Sequence, residues 1–300
     1  MRQVLVDVPR TAPDVPLFRN DLVRQSLSRL LYLWACRHPA SGYVQGINDL
    51  ATPLIAVFLS EFYDNQQQFF KDDKGKSKKK NGGSGSSSGI GNGDINGGGD
   101  NVNDEESIHE GSVLDGSVMD DLALEDLKNV EADVYWCLTN LLAGIQDHYT
   151  SDQPGVQRMV MRLEDLVNRM DVELTQHLRG VGVEFIQFAF RWMNCLLLRE
   201  FKLECVIRLW DTYLSEGDGA GFAMGFETFH VYVCAAFLCQ FSGLLKTMEF
   251  DELFGFMQNV PTSDWGDGEV EILLSQAFVL STLFHGSNAH LSGVHHGALY

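Results

Sequence analysis

The stretch Ser41 to Leu50, SGYVQGINDL, sets Gln45 between Tyr43-Val44 and Gly46, directly ahead of a long apolar run, Ile47 to Phe62. A glutamine is a poor nucleophile, a poor base and a poor metal ligand. Any chemistry it does is hydrogen bonding, because one amide can both accept from a water and donate to a neighbouring oxygen. A plainer reading stands beside this one: Gly42 and Gly46 bracket a tight turn, and Gln45 is solvated at its tip. Other chemistry is scarce. There is no GxxxxGK[ST] loop, no HExxH and no GxGxxG after a strand. Gly85-Ser86-Ser87-Ser88-Gly89 spells GxSxG, but neither the strand before it nor the helix after it that a hydrolase elbow needs is present. His38, His148, His177 and His230 are isolated and read as core or surface histidines, while His285, His290, His295 and His296 crowd a Gly/Ser-rich tail that reads as a frayed end. The chain shows no autonomous active site and no metal or cofactor site of its own.

The elements that must hold Gln45 are helical. Asn20 and Asp21 cap a run whose apolar residues Leu22, Val23, Leu27, Leu30, Leu31 and Trp34 follow 3.6-residue spacing, and Pro39 ends it. Ile47 to Phe62 is apolar on almost every face, which predicts a central buried helix kinked at Pro53. Leu122 to Tyr149 forms another helix. Pro154 stands at a first helical position, with Val156, Met159, Val160, Leu163, Leu166, Val167 and Met170 in one stripe behind it. Further helices are expected over about Val183–Arg199, Leu203–Leu214, Phe226–Phe241, Phe250–Asn259 and Val270–Phe284. Nothing alternates with period two for long enough to be a strand, so the fold class is all-α.

From Lys71 the sequence runs through a lysine cluster, then Gly/Ser/Asn, then acid, with hardly an apolar residue to bury. Such a segment cannot offset its chain entropy, and it is expected to be disordered to about Asp120. The organisation is therefore a first helical part at 1–70, an insert at 71–119, a second helical part at 120–284 and a flexible tail at 285–300. The net charge is -19, and Asp94 to Asp133 alone carries thirteen acids against one lysine, so -12 of it is local. An acidic chain without a basic stripe argues against a nucleic-acid partner. No apolar stretch is long enough for a membrane span, and the N-terminus lacks a signal-peptide core. The six lysines between 71 and 80 are a candidate for peripheral contact with acidic lipid, with a solvated charge run the plainer reading. The six cysteines are scattered through apolar runs and read as reduced core residues of a cytoplasmic protein.

Val4-Leu5-Val6-Asp7-Val8-Pro9-Arg10 resembles the IxxDxxR motif of the TBC-domain family, the GTPase-activating proteins for Rab GTPases, with Val in the first place. Tyr43-Val44-Gln45-Gly46 matches that family's YxQG motif unchanged. The order and spacing of the two motifs, the helical pattern, and the stretches RLWDTYLSEG (208–217) and FAFRWMNCLLLRE (188–200) extend the resemblance over nearly the whole chain outside the insert and tail. HPASGYVQGINDL and GIQDHYTSDQPGVQ look like the Golgi-associated branch of the family.

The resemblance implies a single multi-helix domain that works in trans on a GTP-bound Rab in vesicle traffic, in the cytoplasm and peripherally at Golgi or other endomembranes. GTP and Mg²⁺ belong to the partner. Arg10 would be the arginine finger and Gln45 would orient the attacking water. Asp7 is expected to orient Arg10 by a salt bridge, with helix capping or simple solvation as the alternative. Tyr43 is expected to pack or touch the partner, and Asn48 and Asp49 to cap the buried helix and so hold the glutamine loop, ahead of touching the GTPase directly. Trp210 and Asp211 are expected to be structural, the first in the core and the second paired with a base. Family members usually carry helices with an RxxxW motif ahead of IxxDxxR, whereas here Met1 lies almost on that motif. Arg10 is then expected to hang on an unsupported terminus, in an incomplete chain or in a helical adaptor that binds a partner without catalysing.

Overall fold

The computed structural model describes residues 2–39, 41–61, 113–116, 122–216 and 225–284, and among them every regular element is a helix. The chain opens with α1 (Arg2–Asp7), which runs straight into a 3-10 turn at Val8–Arg10. Val4 and Val8 are buried and fasten this stretch to the core. A second 3-10 turn (Pro16–Arg19) leads to α2 (Asp21–Arg37), whose N-cap Asn20 accepts from the Leu22 amide at 2.8 Å.

Helix α3 covers residues 47–61 and is buried on most faces. Pro53 removes the amide that would bond the Asp49 carbonyl, and the Thr52 hydroxyl donates to that carbonyl instead at 2.8 Å. Helix α4 (Leu124–Gly144) packs on α2. It stops before the expected Tyr149, because Ile145 starts a separate 3-10 turn at Gln146–His148.

The second part is built around two helices. In α5 (Pro154–Met170) the expected stripe from Val156 to Val167 is buried, against α6 (Val172–Val181) and α7 (Phe185–Asn194). A π turn at Gly225–Phe229 feeds α9 (His230–Gln240), which is buried from His230 to Leu238 and packs on α5 and on α12 (Asp267–Phe284). Between α7 and α9 lies α8 (Leu203–Ser215), and α10 (Ser242–Leu245) and α11 (Phe250–Gln258) precede α12. Trp192, Tyr213, Phe226 and Phe237 are fully buried, and edge-on aromatic contacts such as Tyr213–Phe226 at 5.4 Å join them. Such pairs add about 0.5–1.5 kcal/mol each beyond the area they bury.

Two further expectations are corrected. The helix expected to reach Arg199 ends at Asn194, and the chain turns through Leu196 and Leu197 at φ 49° and 64°. That backbone costs roughly 1–2 kcal/mol per residue. Burial of both leucines offsets it, and the turn sends Arg199 and Glu200 to separate partners. The insert expected to be disordered to about Asp120 is ordered at 113–116. There Val113–Asp115 forms a 3-10 turn on the Pro16–Arg19 turn, with Val113 and Leu114 partly buried against the core. The rest of the insert up to 112, the GxSxG stretch, the lysine cluster and the tail from 285 lie outside the described residues.

Candidate functional site

Two backbone segments distant in sequence meet at Asp7–Thr11 and Tyr43–Asp49, and a buried hydrogen-bond network joins them. The Tyr43 hydroxyl lies 2.9 Å from Asp7 Oδ2 and 3.0 Å from Asn48 Oδ1, so its one proton serves two acceptors. Burial, then the bond to Asp7, pushes the Tyr43 phenol well above its ordinary pKa, which keeps it a donor. Asn48 spends its whole amide here: Oδ1 accepts from the Gly46 amide at 3.1 Å, and Nδ2 donates to Thr11 Oγ1 at 3.0 Å and to Asp49 Oδ1 at 2.8 Å. Thr11 Oγ1 in turn donates to the Asp7 carbonyl at 3.1 Å. Both Asp7 oxygens also accept from Gln3 Nε2. Every buried polar group of the network thus has a partner, the condition under which such groups rigidify rather than destabilise.

Asp49 extends the network to the second part of the chain through an ion pair with Arg199 at 2.8 Å. Burial pushes the Asp49 carboxyl above its ordinary range, and the Arg199 guanidinium opposes that push. Below the turn sits Asn194, buried at the end of α7. Gly46 has φ +108°, which strains any other residue, and a Cβ there would stand 2.7 Å from Asn194 Nδ2, so the Asn194 amide would have to shift. Asn194 is held by Gln153, which donates to its Oδ1 at 3.2 Å, and by the Tyr149 hydroxyl, which donates to its carbonyl at 2.7 Å. Gln153, Asn194, Arg199 and Thr11 escape sequence reasoning; only the long phrases that contain the first three give any signal.

Over this support Arg10 and Gln45 are exposed and line one cleft of about 960 Å³. Neither side chain bonds to any described residue. The expected ion pair between Asp7 and Arg10 is not formed: Asp7 is buried and turned toward Tyr43 and Gln3. The unsupported terminus is corrected as well, since Arg10 sits between buried Val8 and buried Thr11. Asn48 fixes the Gly46 turn by taking its amide, whereas Asp49 engages Arg199 rather than capping α3.

Trp210 is in the core, its indole donating to the Leu196 carbonyl at 3.3 Å. Asp211 is exposed and pairs with no base among the described residues, because the nearby Arg208 is taken by Glu271. All six cysteines are free, but only Cys195, Cys205 and Cys234 are buried; Cys36 is exposed. Among the described residues no group of histidine, cysteine and carboxylate side chains is placed to hold a metal ion.

The family model of the Rab-GTPase-TBC domain matches residues 1–71 and 119–245 of this all-helical chain, and the chain belongs to that family. It is 43% identical over 290 residues to GTPase-activating protein gyp1 of Schizosaccharomyces pombe, covering 97% of this chain and 46% of that protein. It is 41% identical over 290 residues to human TBC1 domain family member 22B, covering 96% and 47%. The chain thus spans about half the length of the curated relatives it matches. Among solved structures, the Ypt/Rab-GAP domain of Gyp1p superposes with a TM-score of 0.75 at 43% identity, over 94% of this chain and 73% of that one.

Proposed function

We propose that this chain accelerates GTP hydrolysis by a Rab-family GTPase in its GTP-bound form, by lending it Arg10 and Gln45. One observation carries the reading: these two side chains are exposed, bond to no described residue and line the same cleft, above a network in which every polar group is satisfied. Attack of water on a γ-phosphate asks for charge stabilisation and a positioned nucleophile, and for little covalent help. Arg10 meets the phosphate oxygens with its planar fork, which lysine lacks. Gln45 accepts from the attacking water and donates to a neighbouring oxygen. GTP and Mg²⁺ come with the partner, and the work is done on the cytoplasmic face of endomembranes, the Golgi among them.

Single-turnover hydrolysis across a panel of GTP-loaded Rab proteins tests this. Wild type should accelerate at least one of them, and Arg10→Ala and Gln45→Ala should each remove at least about tenfold of that acceleration with an unchanged helical spectrum. Binding without acceleration, or two variants as active as wild type, would overturn the reading in favour of an adaptor.

A further inference from the structure

The segment Val113–Gly116 falls outside the stretches that match the family, yet it packs at the site. Its 3-10 turn lies on the Pro16–Arg19 turn. Gly116, at φ +83°, lies against the Pro16–Leu17 backbone, where a Cβ would meet the Leu17 Cα at 3.6 Å, an ordinary van der Waals contact. Leu17 is itself fully buried, so the segment rests on a fixed part of the core. Leu114 then lines the same cleft as Arg10 and Gln45, alongside Ala12, Val15 and Pro16. The result is a small apolar patch in the cleft, one member of which comes from a segment the family match does not include.

We propose that Leu114 is a specificity-determining residue: it contacts an apolar side chain on the partner GTPase and so biases which GTPase this chain accepts. The inference rests on the proposed function for the identity of the partner. Three features support it. The residue lies in the cleft where a partner's nucleotide must come. It is half-buried, so its position is set before the partner arrives. Finally, it is not one of the two exposed side chains proposed to do the chemistry, so changing its side chain should alter contact more than transition-state stabilisation. An apolar patch is complemented by an apolar surface, and a partner that offers a charge there leaves it desolvated and unpaired.

The test measures kcat and KM for wild type, Leu114→Ser and Leu114→Glu over a panel of GTP-loaded Rab proteins, together with the melting temperature of each variant. Leu114→Ser should raise KM for the preferred partner about fivefold and keep kcat within about twofold, a contact effect of ordinary interface size. Leu114→Glu should change the order of preference across the panel, with a melting temperature close to wild type for both. Unchanged KM for every partner would overturn the inference, and so would a joint fall of kcat and melting temperature, which would mark Leu114 as support for the Arg10 segment. If wild type accelerates no Rab, the proposed function fails, and equilibrium binding to GTP-loaded Rab decides the Leu114 question separately. Weaker or re-ordered binding by the variants supports it, and equal binding, or none by wild type, overturns it.

Discussion

Two regions of the molecule bury polar groups, and they treat them differently. Between Asp7–Thr11 and Tyr43–Asp49, the buried carboxylates, hydroxyls and amide are joined into a closed set. In the aromatic core of the second part, both ring nitrogens of His148 are buried without a partner among the described residues. An unpaired buried polar atom costs about 1–3 kcal/mol, which a large apolar side chain can repay by its bulk. There the large rings act chiefly as volume, and the unpaired nitrogens of His148 come along with its ring. The first region uses small polar side chains as geometry, and they fix where Arg10 and Gln45 stand. Substitutions in the two regions should separate rate from stability.

The largest expected effect is in the rate. Arg10→Ala should lower stimulated hydrolysis by about 10³ or more, on the scale of arginine fingers elsewhere, at an unchanged melting temperature. Its counterpart, Trp192→Ala, should cost about 3–5 kcal/mol of stability in denaturant titration, because it empties a fully buried site. A fall in melting temperature for Arg10→Ala would erase the distinction.

Next comes Gly46→Ala. The side chain would occupy a positive-φ position and collide with Asn194, which should cost about 2–3 kcal/mol and displace Gln45. This variant should lose both stability and rate, because it sits where the two regions meet. Full activity would mean that the turn tolerates the shift and that Asn194 does not set it.

Acid should act on the second region. Burial lowers the pKa of His148 to about 4 and of His230 to about 3, against an ordinary 6.5. His230 sits between the Tyr213 hydroxyl and the Trp192 carbonyl, and burial keeps it neutral although the bond to that carbonyl pulls its pKa up. The facing charges of Asp147, Glu227 and Arg158 act on His148, the carboxylates pulling its pKa up and the arginine down, without overcoming burial. Because the unfolded chain binds protons on these rings below pH 6.5 and the folded chain does not, stability is full above that pH and falls as pH drops toward 4. At pH 5 the loss is on the order of 2 kcal/mol per ring. His148→Leu should flatten the fall between pH 7 and 5 in thermal melts, and an unchanged slope would place the acid sensitivity elsewhere.

Much of this division is legible in the sequence, for a physical reason. Helices such as α5 and α8 follow from apolar spacing because their own residues decide which face is buried. The network is not legible, because its pairs are 36, 37 and 150 residues apart and involve types that look solvated when read locally. Arg199 reads as the cationic end of a helix. Only the left-handed turn at Leu196 and Leu197, which no propensity favours, carries it to Asp49. Asp7 reads as the natural partner of Arg10 three residues on, until burial turns it inward. Val113 and Leu114 are an apolar pair in a polar insert, a signal that composition alone averages away.

The smallest effect sharpens the comparison most. Tyr43→Phe removes one hydroxyl from the network and leaves no acceptor stranded, since Asp7 still receives Gln3 and Asn48 Oδ1 still receives the Gly46 amide. Deleting a hydrogen bond without orphaning its partners costs about 1 kcal/mol or less, so the melting temperature should fall only slightly. The tether between the two segments is nonetheless loosened, and small displacements of a group that acts in the transition state are felt in rate. Stimulated hydrolysis should therefore drop about three- to tenfold, through kcat with KM held, because the surface the partner meets is unaltered. If kcat is unchanged, the hydroxyl is packing and the network does not position the site. If the melting temperature falls as far as it does for Trp192→Ala, this region is core like the other, and the contrast between them is lost.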